Sequence, residues 1–145
     1  MFIMKEYEYM EDIATADVAL RAYGKTVEEM FINAAKGMEN LITNVEKIEP
    51  KESRDIEIHA TDYFALLYQW LEQLLIYFDT EFMVFSKFNI KIDQRGEEFM
   101  LYGKIYGQKV TEDMEIKHEI KAVTYHEMGI EKIRGGFMCQ VILDL

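Results

Sequence analysis

Hydrophobic and polar positions alternate from Asp17 to Tyr23. Val18, Leu20 and Ala22 fall on one side, and Asp17, Ala19, Arg21 and Tyr23 on the other. This is the period of a half-buried strand. Gly24 follows and is assigned the turn, since glycine takes left-handed backbone angles without steric cost. The period then lengthens. Val27, Met30, Phe31, Ala34, Met38, Leu41 and Ile42 recur at helical spacing and make one apolar face. Thr26, with Glu29 three residues on, has the signature of a capping box. The helix is expected to end near Thr43–Asn44.

The same patterns organise the rest of the chain. Residues 7–10 read as a short edge strand. Glu46 to Glu52 is a polar connector that carries Pro50, the one proline. Arg54 to Ala60 alternates cleanly, with Ile56, Ile58 and Ala60 facing the core and His59 among the solvated residues. Thr61 or Asp62 opens a second helix that runs to about Phe78. Its core face comprises Phe64, Leu67, Leu71, Leu74, Leu75 and Phe78, widened by Leu66, Trp70 and Tyr77. So broad a face leaves little of this helix wet, and Trp70 reads as a core anchor.

Beyond it the period returns to two. Phe82–Asp93 and Phe99–Gly107 form a predicted hairpin across Gln94-Arg95-Gly96. Gly103 and Gly107 mark a bulge or a close backbone approach. Lys109–Glu119 is a charged connector and Glu119–Glu127 a further strand. Gly129–Ile133 and Phe137–Asp144 close a final hairpin across Arg134-Gly135-Gly136. Two helices and about seven strands, with helix–strand alternation only in the first half, predict an α+β class. The expected architecture is a single domain over residues 1–145. Both helices pack on one face of a largely antiparallel sheet. Met4 is an alternative start, so the first residues read as a dispensable extension.

The chain has 145 residues, half of them hydrophobic, enough for a core without staples. Cys139 is the one cysteine, which excludes an internal disulfide and a cysteine-rich zinc site. Cys139 reads as a small buried hydrophobe. No apolar run approaches the roughly 20 residues of a membrane span, and the N-terminus lacks the apolar core of a signal peptide. The expected location is therefore cytoplasmic, with no membrane partner.

Charge changes the picture more. There are 27 acidic and 16 basic side chains, for a net charge of −11. With no lysine–arginine cluster, direct nucleic-acid binding is not expected. A divalent cation or a basic protein surface is the more natural partner. No phosphate-binding P-loop, G-x-S-x-G elbow or H-E-x-x-H is present. His118 and His126 are not spaced as a metal pair. The chemical candidates are acidic. Asp17 opens one strand and Asp144 ends another, with the Leu145 carboxylate one residue further. If those strands lie close, the carboxylates converge. Such a cluster calls for a hard cation such as calcium, magnesium or manganese. Lys121 opens K-A-V-T-Y-H, where a lysine can balance that charge or contact a phosphate.

Four blocks make these residues familiar. They are T-A-D-V-A-L-R-A-Y-G-K-T-V-E-E-M-F-I-N-A-A at 15–35, L-L-Y-Q-W-L-E-Q-L-L-I-Y-F-D-T-E-F at 66–82, K-A-V-T-Y-H at 121–126 and V-I-L-D-L at 141–145. In this order and spacing the chain resembles the archease family over roughly residues 7–145. These are small acidic proteins that assist the RtcB-type tRNA-splicing RNA ligase. The resemblance implies a metal site formed by Asp17, Asp144 and Leu145, the last through a main-chain or terminal oxygen. It implies calcium in the isolated protein and manganese or magnesium in the functional complex. It also implies a functional role for Lys121. It further implies an activator that is not itself an enzyme, promoting guanylylation of the ligase histidine and multiple turnover. One departure is that the histidine of the family's frequent H-T-A-D is Ala14 here. A competing reading is a chaperone-like protein-interaction module.

Overall fold

A computed structural model describes residues 4–12 and 16–145. The proposed N-terminal extension at 1–3 and the Ala14 departure lie outside the described residues. In chain order the elements are β1 (Tyr7–Asp12), β2 (Asp17–Gly24), α1 (Val27–Ile42), a 3-10 turn (Val45–Lys47), β3 (Glu52–Ala60) and α2 (Tyr63–Glu81), followed by β4 (Met83–Arg95), β5 (Glu98–Lys109), β6 (Ala122–Ile133) and β7 (Gly136–Asp144). The class is α+β, and every strand pairing is antiparallel.

The seven strands divide into two sheets, ordered β1-β2-β7-β6 and β3-β5-β4. Both helices touch both sheets, α1 through β1, β2, β7 and β4, and α2 through β6, β3, β4 and β5. The helices therefore form a layer between two sheets, where the sequence predicted cover on one face of one sheet. The physical reason is the breadth of their apolar surface. α1 buries ten positions spread around its circumference, Met30, Phe31, Ala34, Ala35, Met38, Leu41 and Ile42 among them. In α2, Leu66, Leu67, Trp70, Leu71, Leu74 and Leu75 are buried. One sheet cannot cover so wide a surface. Trp70 anchors the layer by donating its indole N–H to the Phe31 carbonyl at 2.9 Å.

Several local expectations are revised. α1 is capped as expected, with the Glu29 N–H donating to Thr26 Oγ1 at 3.1 Å. Gly24, however, does not adopt a positive φ. A Cβ there would meet the Met30 nitrogen at 2.3 Å, so glycine is required for close approach to the helix start. Asp62 is the cap of α2, accepting from the Ala65 N–H at 2.8 Å. That helix runs past Phe78 to Glu81, and Phe82, expected to open a strand, is its left-handed cap at φ 57. Left-handed caps usually fall to glycine, so a phenylalanine gives no warning. Phe64, assigned to the core, is 42% exposed. The β4–β5 turn lies at Gly96–Glu97, one residue beyond the expected centre.

The two strands expected at 119–127 and 129–133 are one, β6. Its register breaks between Thr124 and Gly129, so four residues face the single Val141 of β7. Before it, the connector is laced to the body. The Lys117 N–H donates to the Ile42 carbonyl at 2.7 Å, and Thr43 Oγ1 donates to the Glu115 carbonyl at 2.7 Å. This path delivers the chain to Lys121.

Candidate metal centre

β2 and β7 are neighbours at the middle of the four-stranded sheet. Their register sets Asp17 directly opposite Asp144. The same row continues to Asp12 of β1 on one side and to Ala122 of β6 on the other. Val18, Leu20 and Leu143 are buried against the helices, so alternation turns Asp17 and Asp144 to the outer face. Both are half-buried. Directly opposed residues hold their Cβ atoms about 5 Å apart, and like charges so placed repel. A cation seated between such strand ends would offset that repulsion.

Two backbone hydrogen bonds draw in the other candidates. The Leu145 N–H donates to the Ala16 carbonyl at 3.2 Å, and the Lys121 N–H donates to the Asp144 carbonyl at 2.7 Å. All four sequence-predicted residues, Asp17, Asp144, Leu145 and Lys121, thus meet at one end of one sheet. Ala16 enters this corner at φ 57, a left-handed conformation that a side chain makes costly. The strain is local to the residue that presents Asp17 and receives Leu145.

The donor set is all oxygen, which suits a hard divalent cation. Among the described residues no three histidine, cysteine, aspartate or glutamate side chains assemble into a metal cluster. Asp17 and Asp144 would supply two carboxylates to such a cation, and Leu145, at the same strand end, offers main-chain and terminal oxygens beside them. Asp12, placed in the same row by register, was not singled out from sequence. Its position depends on a pairing that no local pattern specifies.

Among the described residues the corner holds no nucleophile with a base beside it. Cys139 is buried, and burial pushes its thiol up to about 12, which makes it inert. His59 lies in the other sheet, where Glu57 and Glu98 flank its ring and hold its pKa above the ordinary value. His118 and His126 are not brought together with the acidic corner. Among the described residues no helix is long and apolar enough to cross a membrane.

Comparisons with known proteins show the family. A model of the Archease protein family (MTH1598/TM1083) matches residues 7–145. The chain is 43% identical to an archease of Pyrococcus furiosus and 40% identical to one of Sulfurisphaera tokodaii. In each case 98% of this chain and all of the relative are covered. Among solved structures, a solution structure of a Methanobacterium thermoautotrophicum protein matches with a TM-score of 0.86 at 42% identity, covering 98% of this chain and all of that one. A Thermotoga maritima crystal structure, described as an archease and possible chaperone, matches over the full length of both chains with a TM-score of 0.60. At 19% identity it speaks to fold alone. With a family model matched over residues 7–145 and relatives at least 40% identical across nearly the whole chain, this chain belongs to the archease family.

Proposed function

We propose that this protein activates an RtcB-type tRNA-splicing RNA ligase, promoting guanylylation of the ligase histidine and so permitting multiple turnover. The observation that supports this most is the register of Asp17 against Asp144, with Leu145 and Lys121 tied beside them. It builds a compact anionic tip with one lysine at its edge, on rigid strands.

In this reading Asp17, Asp144 and Leu145 hold a divalent cation, calcium in the isolated protein and manganese or magnesium in the working complex. When bound, the cation supplies positive charge toward phosphate oxygens. The protein's own residues do the positioning. The β2–β7 pairing fixes the two carboxylates relative to one another. The Lys121–Asp144 backbone bond fixes the start of β6, so that the lysine adds positive charge beside them. Positioning and charge stabilisation dominate phosphoryl-type transfer, so a partner that supplies only these can still accelerate it. No contact with RNA is required, and an acidic activator is steered toward a basic, RNA-handling enzyme.

The test is guanylylation of the cognate ligase with GTP and manganese, with and without substoichiometric amounts of this protein. Acceleration is expected, and Asp144→Ala should abolish it while leaving the protein folded. Unchanged stimulation by Asp144→Ala would overturn the role of the tip. Absence of any acceleration with an active ligase would overturn the function. The exposed apolar side chains Phe64, Ile76, Phe82 and Tyr125 favour a second reading, a chaperone-like module. Suppressed aggregation of unrelated proteins, insensitive to Asp17 and Asp144, would establish it.

A further inference from the structure

α2 is packed between two sheets, yet one ridge of it stays partly open. Phe64, Tyr68, Glu72 and Ile76 succeed one another at intervals of four, one above the next along the helix. Phe64 and Ile76 are each 42% exposed. On this ridge lies Tyr125, 54% exposed, whose ring stacks on Tyr68 with centroids 4.3 Å apart and planes at 9°. A large aromatic side chain left this open is not there for the core.

The placement of Tyr125 is built rather than incidental. It is the first residue of the β6 register break, where Tyr125–Met128 face one residue of β7. Glu127 takes a left-handed φ of 50 within the break. The segment is pinned on both sides. Thr124 Oγ1 donates to the Ile142 carbonyl at 2.9 Å, and Gln140 Nε2 donates to the Glu127 carbonyl at 3.0 Å. Bulges of this kind re-aim side chains near functional surfaces. Here the bulge brings Tyr125 to the helix.

Charge indicates what the surface would take. No lysine or arginine occurs between Arg54 and Lys87, a span that includes all of α2 with Glu72, Asp79 and Glu81. β6 adds Glu127 and Glu131 before its first lysine, Lys132. Two carboxylates, Glu72 and Asp62, act on the stacked rings. The Glu72 carboxylate beside it on the helix raises the Tyr68 phenol above its ordinary value. Burial, followed by the charges of Asp62 and Glu72, raises that of Tyr125. An aromatic face bordered by carboxylates suits a guanidinium, which stacks on the ring and pairs with oxygens in its plane. An ammonium can do only the second well. Tyr125 also stands four residues after Lys121, which immediately precedes β6, so a partner engaging the acidic tip extends naturally onto this ridge.

We infer that the ridge Phe64–Tyr68–Glu72–Ile76, capped by Tyr125, is a docking surface for an arginine on a basic partner protein. The inference deepens the proposed function and rests on it for the identity of the partner, the ligase. The surface is a second foothold, separate from the metal corner.

Two measurements decide it. The first is calorimetric binding of the cognate ligase to the intact protein. Tyr125→Ala is expected to raise Kd about tenfold, Tyr125→Phe to stay near the parent, and Glu72→Gln to weaken binding less. At saturation the alanine variant should stimulate guanylylation fully, whereas Asp144→Ala should bind and fail to stimulate. Parent-like affinity in both Tyr125→Ala and Phe64→Ser would overturn the inference while leaving the activator reading intact. The second uses no ligase. Nona-arginine and nona-lysine peptides are titrated into the isotopically labelled protein and followed by amide shifts. Shifts centred on Phe64, Tyr68 and Tyr125, larger for arginine and lost in Tyr125→Ala, are expected. Equal responses to the two peptides, or shifts scattered over the acidic surface, would overturn the docking surface even if the ligase itself does not bind. Unchanged melting of the exposed-site variants keeps loss of fold out of either result.

Discussion

Glu39 is a carboxyl inside the α1–β4 packing. Its Oε2 accepts from the Phe85 N–H at 3.1 Å, while its Oε1 is buried without a partner. Burial raises its pKa well above 4.5, so the folded protein keeps a proton that the unfolded chain has released. Its contribution is complete below about pH 4.5 and declines as pH rises from there toward the folded value. Glu8, Glu81 and Asp113, held below the ordinary value by hydrogen bonds to Tyr23, Arg54 and Thr111, act at lower pH, where their stabilisation is lost on acidification. His59, raised above 6.5 by its hydrogen bonds to Glu57 and Glu98, declines at higher pH, and equally in parent and variant. Glu39→Gln should therefore lose less Tm than the parent between pH 5 and pH 8, measured by calorimetry. Parallel curves would refute the buried proton. At Ala16, glycine relieves the left-handed backbone. Ala16→Gly should stabilise the fold by about 0.5–1 kcal/mol in urea denaturation.

At the scale of elements, the β4–β5 hairpin turns on backbone approach. A Cβ on Gly107 would meet the Val84 carbonyl oxygen at 1.9 Å, and one on Gly103 would meet that of Asn89 at 2.1 Å. The register shift of β4 between Phe85 and Lys87 falls opposite Gly107–Tyr106. The sequence named both possibilities, bulge and close approach, and the structure contains both. Gly107→Ala should cost about 2 kcal/mol or more, seen as a lowered urea midpoint with an unchanged slope. By contrast Thr26→Ala removes one hydrogen bond from an exposed cap and should cost about 1 kcal/mol.

For the whole molecule the decisive quantity is the net charge of −11. Exposed charges act through solvent and are screened by salt. Association with a basic ligase should slow about tenfold or more between roughly 0.05 and 0.5 M salt, with a smaller change in dissociation. Stopped-flow mixing measures both. A salt-independent association rate would contradict electrostatic steering.

Local periodicity and residue chemistry were enough to determine both helices and most of the strands, the Thr26 cap, the core roles of Trp70 and Cys139, and the candidacy of Asp17, Asp144 and Lys121. Those features depend on neighbours in the chain. Which sheet each strand joins, the burial of the helices between two sheets and the row that sets Asp17 opposite Asp144 depend on pairing between distant segments. Only the tertiary structure decided them. The same holds for Phe82 and Phe64. Phe82 read as the start of a strand and Phe64 as core, yet one is the left-handed cap of α2 and the other lies on an open ridge, while Leu66, Leu67 and Trp70 fill the interior. Tyr125 went unread for the same reason. A register break over one residue of β7 is a property of the pair of strands, and no single strand's pattern records it.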